Sequence, residues 1–122
     1  MNQTLSQICK ELKLSRKVIQ GYEKHGLIRS CGKDRYGHLV YDRKSIERII
    51  EIRFYQKLGF SLKEIRELDM DDLKTVLKEK KEEILREKRS LEKRLSMIES
   101  MINGEIPDPE TMRNVLKEES VE

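Results

Sequence analysis

The stretch LSRKVIQGYEKHGL, residues 14–27, predicts one short amphipathic helix with a defined start and end. Ser15 is a favourable N-cap residue, and Leu14 and Ile19 have the spacing of a hydrophobic staple around that cap. Gly26 stands where the C-terminus of a helix commonly requires a left-handed residue. The helix also carries several basic side chains, so its purpose depends on what its polar face contacts.

A second short helix is predicted just before this one. Ser6 is a candidate N-cap for a helix of about residues 7–12, in which Ile8 and Leu12 are four positions apart and share a face. Two short helices joined by a tight turn, the second of them basic, form the helix-turn-helix arrangement.

The polar face of the second helix combines an amide with basic groups. Lys17, Gln20 and Lys24 share this face, and Arg16 lies beside them. Glutamine can pair with the edge of adenine, whereas arginine and lysine can bind guanine or phosphate. This composition suits the major groove of DNA. The alternative is an ordinary solvated helix face.

Charge is distributed unevenly along the 122 residues. Residues 1–58 hold 13 Lys and Arg against 6 Asp and Glu, whereas residues 59–122 hold 13 against 17. The basic half is therefore where an acidic polymer would bind. Because 40% of the residues are charged and few are aromatic, we expect a small compact head followed by an elongated region.

Several functional classes lack a signal in the sequence. No apolar run approaches the roughly 20 residues that span a bilayer, and the N-terminal residues have no signal-peptide layout, so we expect a cytoplasmic protein without membrane association. Cys9 and Cys31 form no metal-binding pattern, and Cys9 is interpreted as a core residue rather than a sensor. No catalytic motif stands out. We expect no enzymatic activity, no metal and no cofactor.

The segment RSCGKDRYGHLVYD, residues 29–42, has the pattern of a β-hairpin. A turn rich in Gly, Lys and Asp separates two short segments, and Leu39 and Tyr41 alternate as they would in a strand. The hairpin carries Arg29, Lys33 and Arg35. A helix-turn-helix followed by a basic hairpin is typical of a winged DNA-binding module.

Two further helices are predicted after the hairpin. Asp42 is the N-cap of a helix of about residues 43–58, and Gly59 ends that helix. Ser61 and Glu64 then form the S-x-x-E pattern of a capping box, which is the most specific local signal in the chain.

From about residue 4 to residue 68 the chain resembles the MerR family of bacterial transcription regulators. The likeness runs through the stretches TLSQICKELKLS, GYEKHGLI, GHLVYD and LGFSLKEIREL. It implies a mainly α fold with a winged helix-turn-helix head, a long helix that dimerises as an antiparallel coiled coil, and a variable C-terminal region. It also implies operators within promoters, where distortion of double-stranded DNA lets RNA polymerase use the promoter.

The resemblance is carried over residue by residue. Lys17 occupies a position that is often basic in the family, and Tyr22 matches the second of its usual aromatic pair. Three positions depart from the family pattern. Gln20 stands where the family usually has arginine, and Gly21 stands where it usually has the first aromatic residue. In the wing, Leu39 stands where the family usually has arginine. Arg35 is a candidate for the missing phosphate contact. The residues assigned to DNA binding are Arg16, Lys17, Gln20, Tyr22, Lys24, Arg29, Lys33 and Arg35.

A long helix pattern extends from Asp71 to Asn103 and is closed by Gly104. Apolar residues repeat every seven positions along it, and a second apolar seam appears toward its C-terminal end. The predicted dimerisation residues are Leu77, Ile84, Leu91, Leu95, Ile98 and Ile102. Lys81 and Lys88 occupy the second seam in the N-terminal half, where lysine can select one register. The alternative is a solvated single helix, but a heptad stripe left in water is unfavourable, so a homodimer is favoured.

These patterns divide the chain into three regions. Residues 1–69 form the winged helix-turn-helix domain, residues 70–104 the dimerisation helix, and residues 105–122 a short tail in which Asp108 and Pro109 begin a last helix. The favoured function is a homodimeric, sequence-specific transcription regulator. The alternative is an architectural or chromosome-tethering protein with the same kind of head. No effector is assigned by the sequence.

Overall fold

The computed structural model describes residues 2–120 and is mainly helical, with one small sheet. In chain order the elements are β1 (Gln3–Thr4), α1 (Leu5–Leu12), α2 (Arg16–Lys24), β2 (Gly32–Lys33), β3 (Leu39–Tyr41), α3 (Arg43–Lys57), α4 (Leu62–Glu67), a 3-10 turn (Met70–Asp72), α5 (Leu73–Ile102) and α6 (Pro109–Ser120). The chain divides into two compact units, one ending at Val76 and one beginning at Leu77.

The first unit has a single apolar core to which every helix of the head contributes. Its fully buried members include Ile8 of α1, Ile19 of α2 and Ile49 of α3. Phe60 and Ile65, which flank the start of α4, are also buried, and their spacing around Ser61 is that of a hydrophobic staple. This shared core fixes the orientation of α2, because one face of that helix is committed to it.

Helix α1 begins earlier than the sequence predicts. Thr4, rather than Ser6, is the N-cap: its hydroxyl accepts the Gln7 N–H, and the Gln7 side chain accepts the Thr4 N–H at 2.8 Å. This reciprocal pair is a capping box, and it satisfies two backbone donors where a cap at Ser6 would satisfy one. Lys13 ends the helix at φ +55°, so the turn into α2 uses a left-handed lysine instead of a glycine.

The sheet has three strands where the hairpin pattern predicts two. Strand β3 pairs antiparallel with β2, with Lys33 opposite Leu39, and it also pairs antiparallel with β1, with Gln3 opposite Tyr41. The order is β1-β3-β2, so the N-terminus covers one edge of the wing. The third strand was not predicted because its partner lies far away in the sequence.

The second unit contains most of α5 together with α6. Helix α5 starts at Leu73, after the 3-10 turn, and ends at Ile102, so it is slightly shorter than the predicted span from Asp71 to Asn103. Gly104 follows it with φ +88°, as expected of a helix terminator. The Asp108 carboxylate accepts the Thr111 N–H at 2.8 Å, so the predicted cap of α6 is present.

Candidate nucleic-acid interface

Helix α2 is held at both ends by the residues that the sequence singles out. The Ser15 hydroxyl accepts the Val18 N–H at 3.2 Å and so caps the first turn. At the other end, Leu27 N–H donates to the Tyr22 carbonyl and Gly26 N–H donates to the Glu23 carbonyl, both at 3.0 Å. This pair of bonds is the Schellman motif, and Gly26 takes the left-handed conformation that it requires, at φ +74°.

The exposed face of α2 carries the predicted reading side chains. Lys17, Gln20 and Lys24 are exposed, whereas Ile19 on the opposite side is fully buried. Arg16 is exposed too, but its guanidinium donates to the Ser6 hydroxyl of α1 at 2.6 Å, which holds it beside the first helix. The helix therefore presents one amide between two lysines, with an arginine fixed at its N-terminal end.

Tyr22, which the family resemblance assigns to DNA binding, lies in the core of the head. The residue is only 1% exposed, and its hydroxyl donates to the Gln56 side chain of α3 at 2.5 Å. Burial raises the pKa of Tyr22, and the nearby Arg53 guanidinium offsets part of that rise. The buried ring leaves almost no surface for a contact with DNA, and its hydroxyl joins α2 to α3.

Gly21 lies on the same face as Lys17 and Lys24, at the position where the resemblance implies an aromatic side chain. Its backbone is helical, and a Cβ placed there would meet no other atom within 4 Å. The space beside it is open to solvent. Glycine at this point lets another surface approach the helix backbone closely.

The tip of the wing is organised by one carboxylate. Asp34 Oδ1 accepts the backbone N–H groups of Tyr36 and His38, each at 2.9 Å, and the Asp34 N–H donates to the His38 carbonyl. The backbone bond from His38 is the main reason that the pKa of Asp34 lies below its ordinary value. Gly37 completes the turn with φ +81°. The carboxylate is thus held inside the turn, where it organises the backbone of the wing tip.

Two basic residues of the wing lie at its surface. Lys33 and Arg35 are exposed, and the Arg35 guanidinium lies 5.0 Å from the centre of the Tyr36 ring. Tyr36 is itself 69% exposed, which makes it a candidate contact that sequence reasoning missed, although an aromatic residue at a hairpin tip is a usable signal. Leu39, in contrast, packs against the core.

Arg29 lies in a third location, between α2 and the start of α3. Its carbonyl accepts the Ser45 hydroxyl at 3.0 Å, and the next residue, Ser30, donates its N–H to Glu23 of α2 at 2.9 Å. A surface cleft there is lined by Arg29 and by both basic and acidic residues of α3, among them Lys44, Glu47 and Glu51.

The six predicted dimerisation residues of α5 and its C-terminal end all lie on the surface of the chain. Their exposure ranges from 40% for Leu77 to 78% for Ile102. Lys81 and Lys88 are exposed as well. A row of half-exposed leucine and isoleucine at heptad spacing is the pattern of a coiled-coil seam.

Neither a metal site nor a membrane span is visible in residues 2–120. Within that range, no three His, Cys, Asp or Glu side chains are grouped as metal ligands would be. None of the helices within it combines the length and the apolar character needed to cross a membrane. Cys9 is partly buried against the core and Cys31 is exposed, and both are free thiols.

The fold and its exposed basic faces agree with one known family. The family model described as the MerR HTH family regulatory protein matches residues 3–71. The chain belongs to the MerR family. This match covers more than half of the chain and includes both helices of the helix-turn-helix, the wing and α3 and α4.

Relatives in the MerR-like region come from several bacteria. The chain is 44% identical over 50 residues to the nodulation protein NolA of a Bradyrhizobium species, a match that covers 41% of this chain and 21% of NolA. It is 38% identical over 64 residues to a probable heavy metal-dependent transcriptional regulator of Haemophilus influenzae, covering 52% of this chain and 50% of that protein. The matched region thus spans about a fifth of the length of NolA and about half of the length of the Haemophilus influenzae protein.

Solved structures of MerR-family proteins share the fold along more of the chain. A MerR-family transcriptional regulator from Bacillus cereus superposes with a TM-score of 0.77 at 19% identity, covering 96% of this chain and 95% of that one. HiNmlR, a MerR-family regulator that lacks the sensor domain and was solved bound to promoter DNA, gives a TM-score of 0.61 at 19% identity, covering 84% and 85%. At such identities the likeness shows the fold.

Proposed function

We propose that this protein is a homodimeric, sequence-specific DNA-binding transcription regulator that acts at promoter operators. The observation that carries the proposal is the face of α2, where Lys17, Gln20 and Lys24 are exposed while the opposite side is buried in the head core. A helix held rigidly by one face can enter a major groove with the other.

The proposed contacts are of two kinds, with base edges and with phosphates. Gln20 can accept and donate in one bidentate pair with adenine, so it is the proposed base reader. The basic side chains around it are proposed to contact phosphates, which fix register and carry no sequence information. These residues are Arg16, Lys17, Lys24, Arg29, Lys33 and Arg35. Tyr22 is left out because it is buried.

The second element of the proposal is dimerisation through α5. A single small head reads only a few base pairs, so useful specificity requires two heads at a fixed spacing on a palindromic site. The exposed seam that includes Ile84 and Leu91 offers the surface for this pairing. The three regions keep their proposed roles: residues 1–69 bind DNA, residues 70–104 dimerise and residues 105–122 form a tail.

The mode of action is proposed from family membership. The dimer binds double-stranded DNA in the cytoplasm and distorts the promoter, so that RNA polymerase engages it. HiNmlR, the relative solved on promoter DNA, supports the choice of promoter sites. No enzymatic step, metal or cofactor is part of the proposal.

The test compares a residue proposed to contact a base with a residue proposed to contact phosphate. Gln20→Ala is expected to relax the preference at one base pair of each half-site, at a cost of about 1–3 kcal/mol for the preferred base. Arg35→Ala is expected to weaken binding to all sequences alike and, as a dimer loses two phosphate contacts, to reduce the salt slope of log K by about 2. Lys78→Ala, which removes an exposed charge from α5, is the matched control and should change neither quantity.

Selection of preferred sequences from a random DNA pool, followed by titration at several salt concentrations, measures both effects. An unchanged sequence profile for Gln20→Ala would remove Gln20 as a reader. Affinity that does not fall with salt would contradict DNA binding through these residues. Genome-wide occupancy mapping separates regulation from the architectural alternative, since dispersed binding without promoter sites would favour chromosome tethering.

A further inference from the structure

The tip of the wing has a fixed backbone. The Asp34 N–H donates to the His38 carbonyl at 2.9 Å, and the Gly37 N–H donates to the Asp34 carbonyl at 3.0 Å. Asp34 Oδ1 accepts two further backbone N–H groups of the turn. Arg35 and Tyr36 lie within this turn, so their side chains leave the backbone in set directions.

Arg35 and Tyr36 also contact each other through their side chains. The Arg35 guanidinium carbon lies 5.0 Å from the centre of the Tyr36 ring, within the roughly 6 Å at which the face of an aromatic ring attracts a cation. Both residues are exposed, so the pair lies at the surface of the wing. Within residues 2–120 the guanidinium forms neither an ion pair nor a hydrogen bond, so its N–H groups remain available to an anion.

A second ring lies beside Tyr36. The centres of the Tyr36 and His38 rings are 6.3 Å apart, a separation found in packed aromatic pairs, and the rings are tilted by 43°. His38 Nδ1 in turn lies 3.3 Å from Asp34 Oδ2. Because Asp34 also binds the backbone of the turn, the surroundings of the Tyr36 ring are set by the fold of the turn.

Stacking on a ring changes what an arginine loses when it binds. An exposed arginine samples many rotamers, and a contact with DNA removes that freedom. Stacking uses the flat face of the guanidinium and leaves the N–H donors at its edge for a phosphate, which they can bind in a bidentate manner. A side chain that already has its bound orientation binds more tightly, because less entropy is lost.

The orientation of Arg35 matters because the wing has few groups that can replace it. Between Gly32 and Tyr41 the chain contains one arginine, Arg35, and one lysine, Lys33. Leu39 packs against the core instead of carrying a charge to the surface. Lysine is a point charge on a flexible stem and lacks the planar fork of arginine. The bidentate contact available to the wing therefore depends on Arg35.

We infer that Tyr36 is a positioning residue of the proposed DNA interface: its ring holds the Arg35 guanidinium in the orientation in which it binds a phosphate of double-stranded DNA. The inference rests on the proposed function and adds an uncharged residue that the proposed contacts do not include. Tyr36 acts through Arg35, so it has no effect on binding once the Arg35 side chain is removed.

The first measurement concerns the free protein and does not depend on DNA. Stacking places the side-chain protons of Arg35 over the Tyr36 ring, and the ring current then shifts their NMR resonances upfield. This shift is expected in the original chain and in Tyr36→Phe, which keeps the ring. It is expected to disappear in Tyr36→Leu, which keeps an apolar side chain but has no aromatic face.

The second measurement is the affinity for the duplex that selection from a random DNA pool enriches most. Tyr36→Leu is expected to weaken binding about two- to fivefold for each head, as an exposed cation–π contact implies, and thus about four- to twenty-fivefold for a dimer. Tyr36→Phe is expected to bind within about twofold of the original chain. Because the ring is exposed, urea denaturation is expected to give the same free energy of unfolding for all three proteins.

A double-mutant cycle shows whether Tyr36 acts through Arg35. In a chain that already carries Arg35→Ala, the further change Tyr36→Leu is expected to leave the affinity unchanged, because the group that the ring positions is gone. Lys24→Ala is the matched control, since it removes a proposed phosphate contact from α2 rather than from the wing. Its effect is expected to add to that of Tyr36→Leu.

The outcomes distinguish this inference from the proposed function. Arg35 resonances without an upfield shift, or a Tyr36→Leu protein with the original affinity, overturn the positioning role. So does a Tyr36→Phe protein that binds as weakly as Tyr36→Leu. Additive effects of Tyr36→Leu and Arg35→Ala also overturn it, because Tyr36 then contacts DNA by itself.

The proposed function has its own outcomes in the same experiments. If Arg35→Ala leaves the affinity unchanged while Gln20→Ala relaxes the sequence preference, the inference fails and the proposed function stands. If the original chain binds no DNA, both fail.

Discussion

Replacing Leu91 with aspartate tests the dimer seam most directly. Leu91 is 50% exposed in the single chain, and full burial of a leucine contributes about 1.5–3 kcal/mol, so its contact with the partner contributes about 1 kcal/mol per chain. An unpaired carboxylate buried in the seam adds a cost of about 3–5 kcal/mol. Even if hydration halves the combined cost, the two substitutions in a dimer weaken association by about 4 kcal/mol, or about a thousandfold in Kd.

Sedimentation equilibrium over a range of protein concentrations measures this change. The variant is expected to sediment as a monomer at concentrations where the original chain is a dimer, and to keep only weak, salt-sensitive DNA binding through its head. Arg89→Asp introduces the same carboxylate at an exposed position on the other side of α5 and should remain dimeric. A dimeric Leu91→Asp protein with unchanged operator affinity would refute the seam and place the association elsewhere.

Three further predictions concern the head. Gly21→Ala should raise the free energy of unfolding by about 0.5–1 kcal/mol in urea denaturation, because Gly21 is helical and the space for a Cβ is empty; a destabilised variant would contradict this. Tyr22→Phe should lower the free energy of unfolding by about 1 kcal/mol, because the hydrogen bond to Gln56 is lost. The operator affinity of the folded protein should stay unchanged. A specific loss of affinity would return Tyr22 to the DNA contacts. The Ser45 backbone N–H holds the pKa of Asp42 below its ordinary value, so the stability that Asp42 contributes is fully present above the unfolded pKa of about 3.9 and is lost as pH falls through the folded pKa. Asp42→Asn keeps a cap but does not titrate, so its unfolding free energy should fall less steeply below pH 4, and an equal slope would count against the assignment.

Caps and terminators could be predicted because they depend on a few neighbouring residues. Ser15, Asp42 and Ser61 each accept the backbone N–H three residues later, as their positions before apolar helices indicate. The cap of α1 was predicted at the wrong residue. Ser6 and Thr4 are both plausible in isolation, and only the reciprocal bond with Gln7 favours Thr4.

In the candidate site, too, some features follow from neighbouring residues and others depend on residues that are distant in the sequence. The outward direction of Lys17, Gln20 and Lys24 follows from helical periodicity, and the structure exposes all three. The inward direction of Tyr22 follows from periodicity as well, because Tyr22 lies three positions after the buried Ile19. Its partner does not follow from periodicity, since the Tyr22 hydroxyl donates to Gln56, 34 positions along the chain.

The sequence by itself determined the order of the helices and the wing hairpin, the two-helix motif with its basic face, and the heptad stripe of α5. These properties depend on contacts within a few turns of chain, where spacing alone states which side chains share a face. The tertiary structure decided that β1 closes the wing, that Tyr22 is bonded to Gln56 and that Ile50 and Phe54 of α3 are exposed. Each of these depends on residues that are distant in sequence and meet only once the core has formed, so no local pattern could contain them.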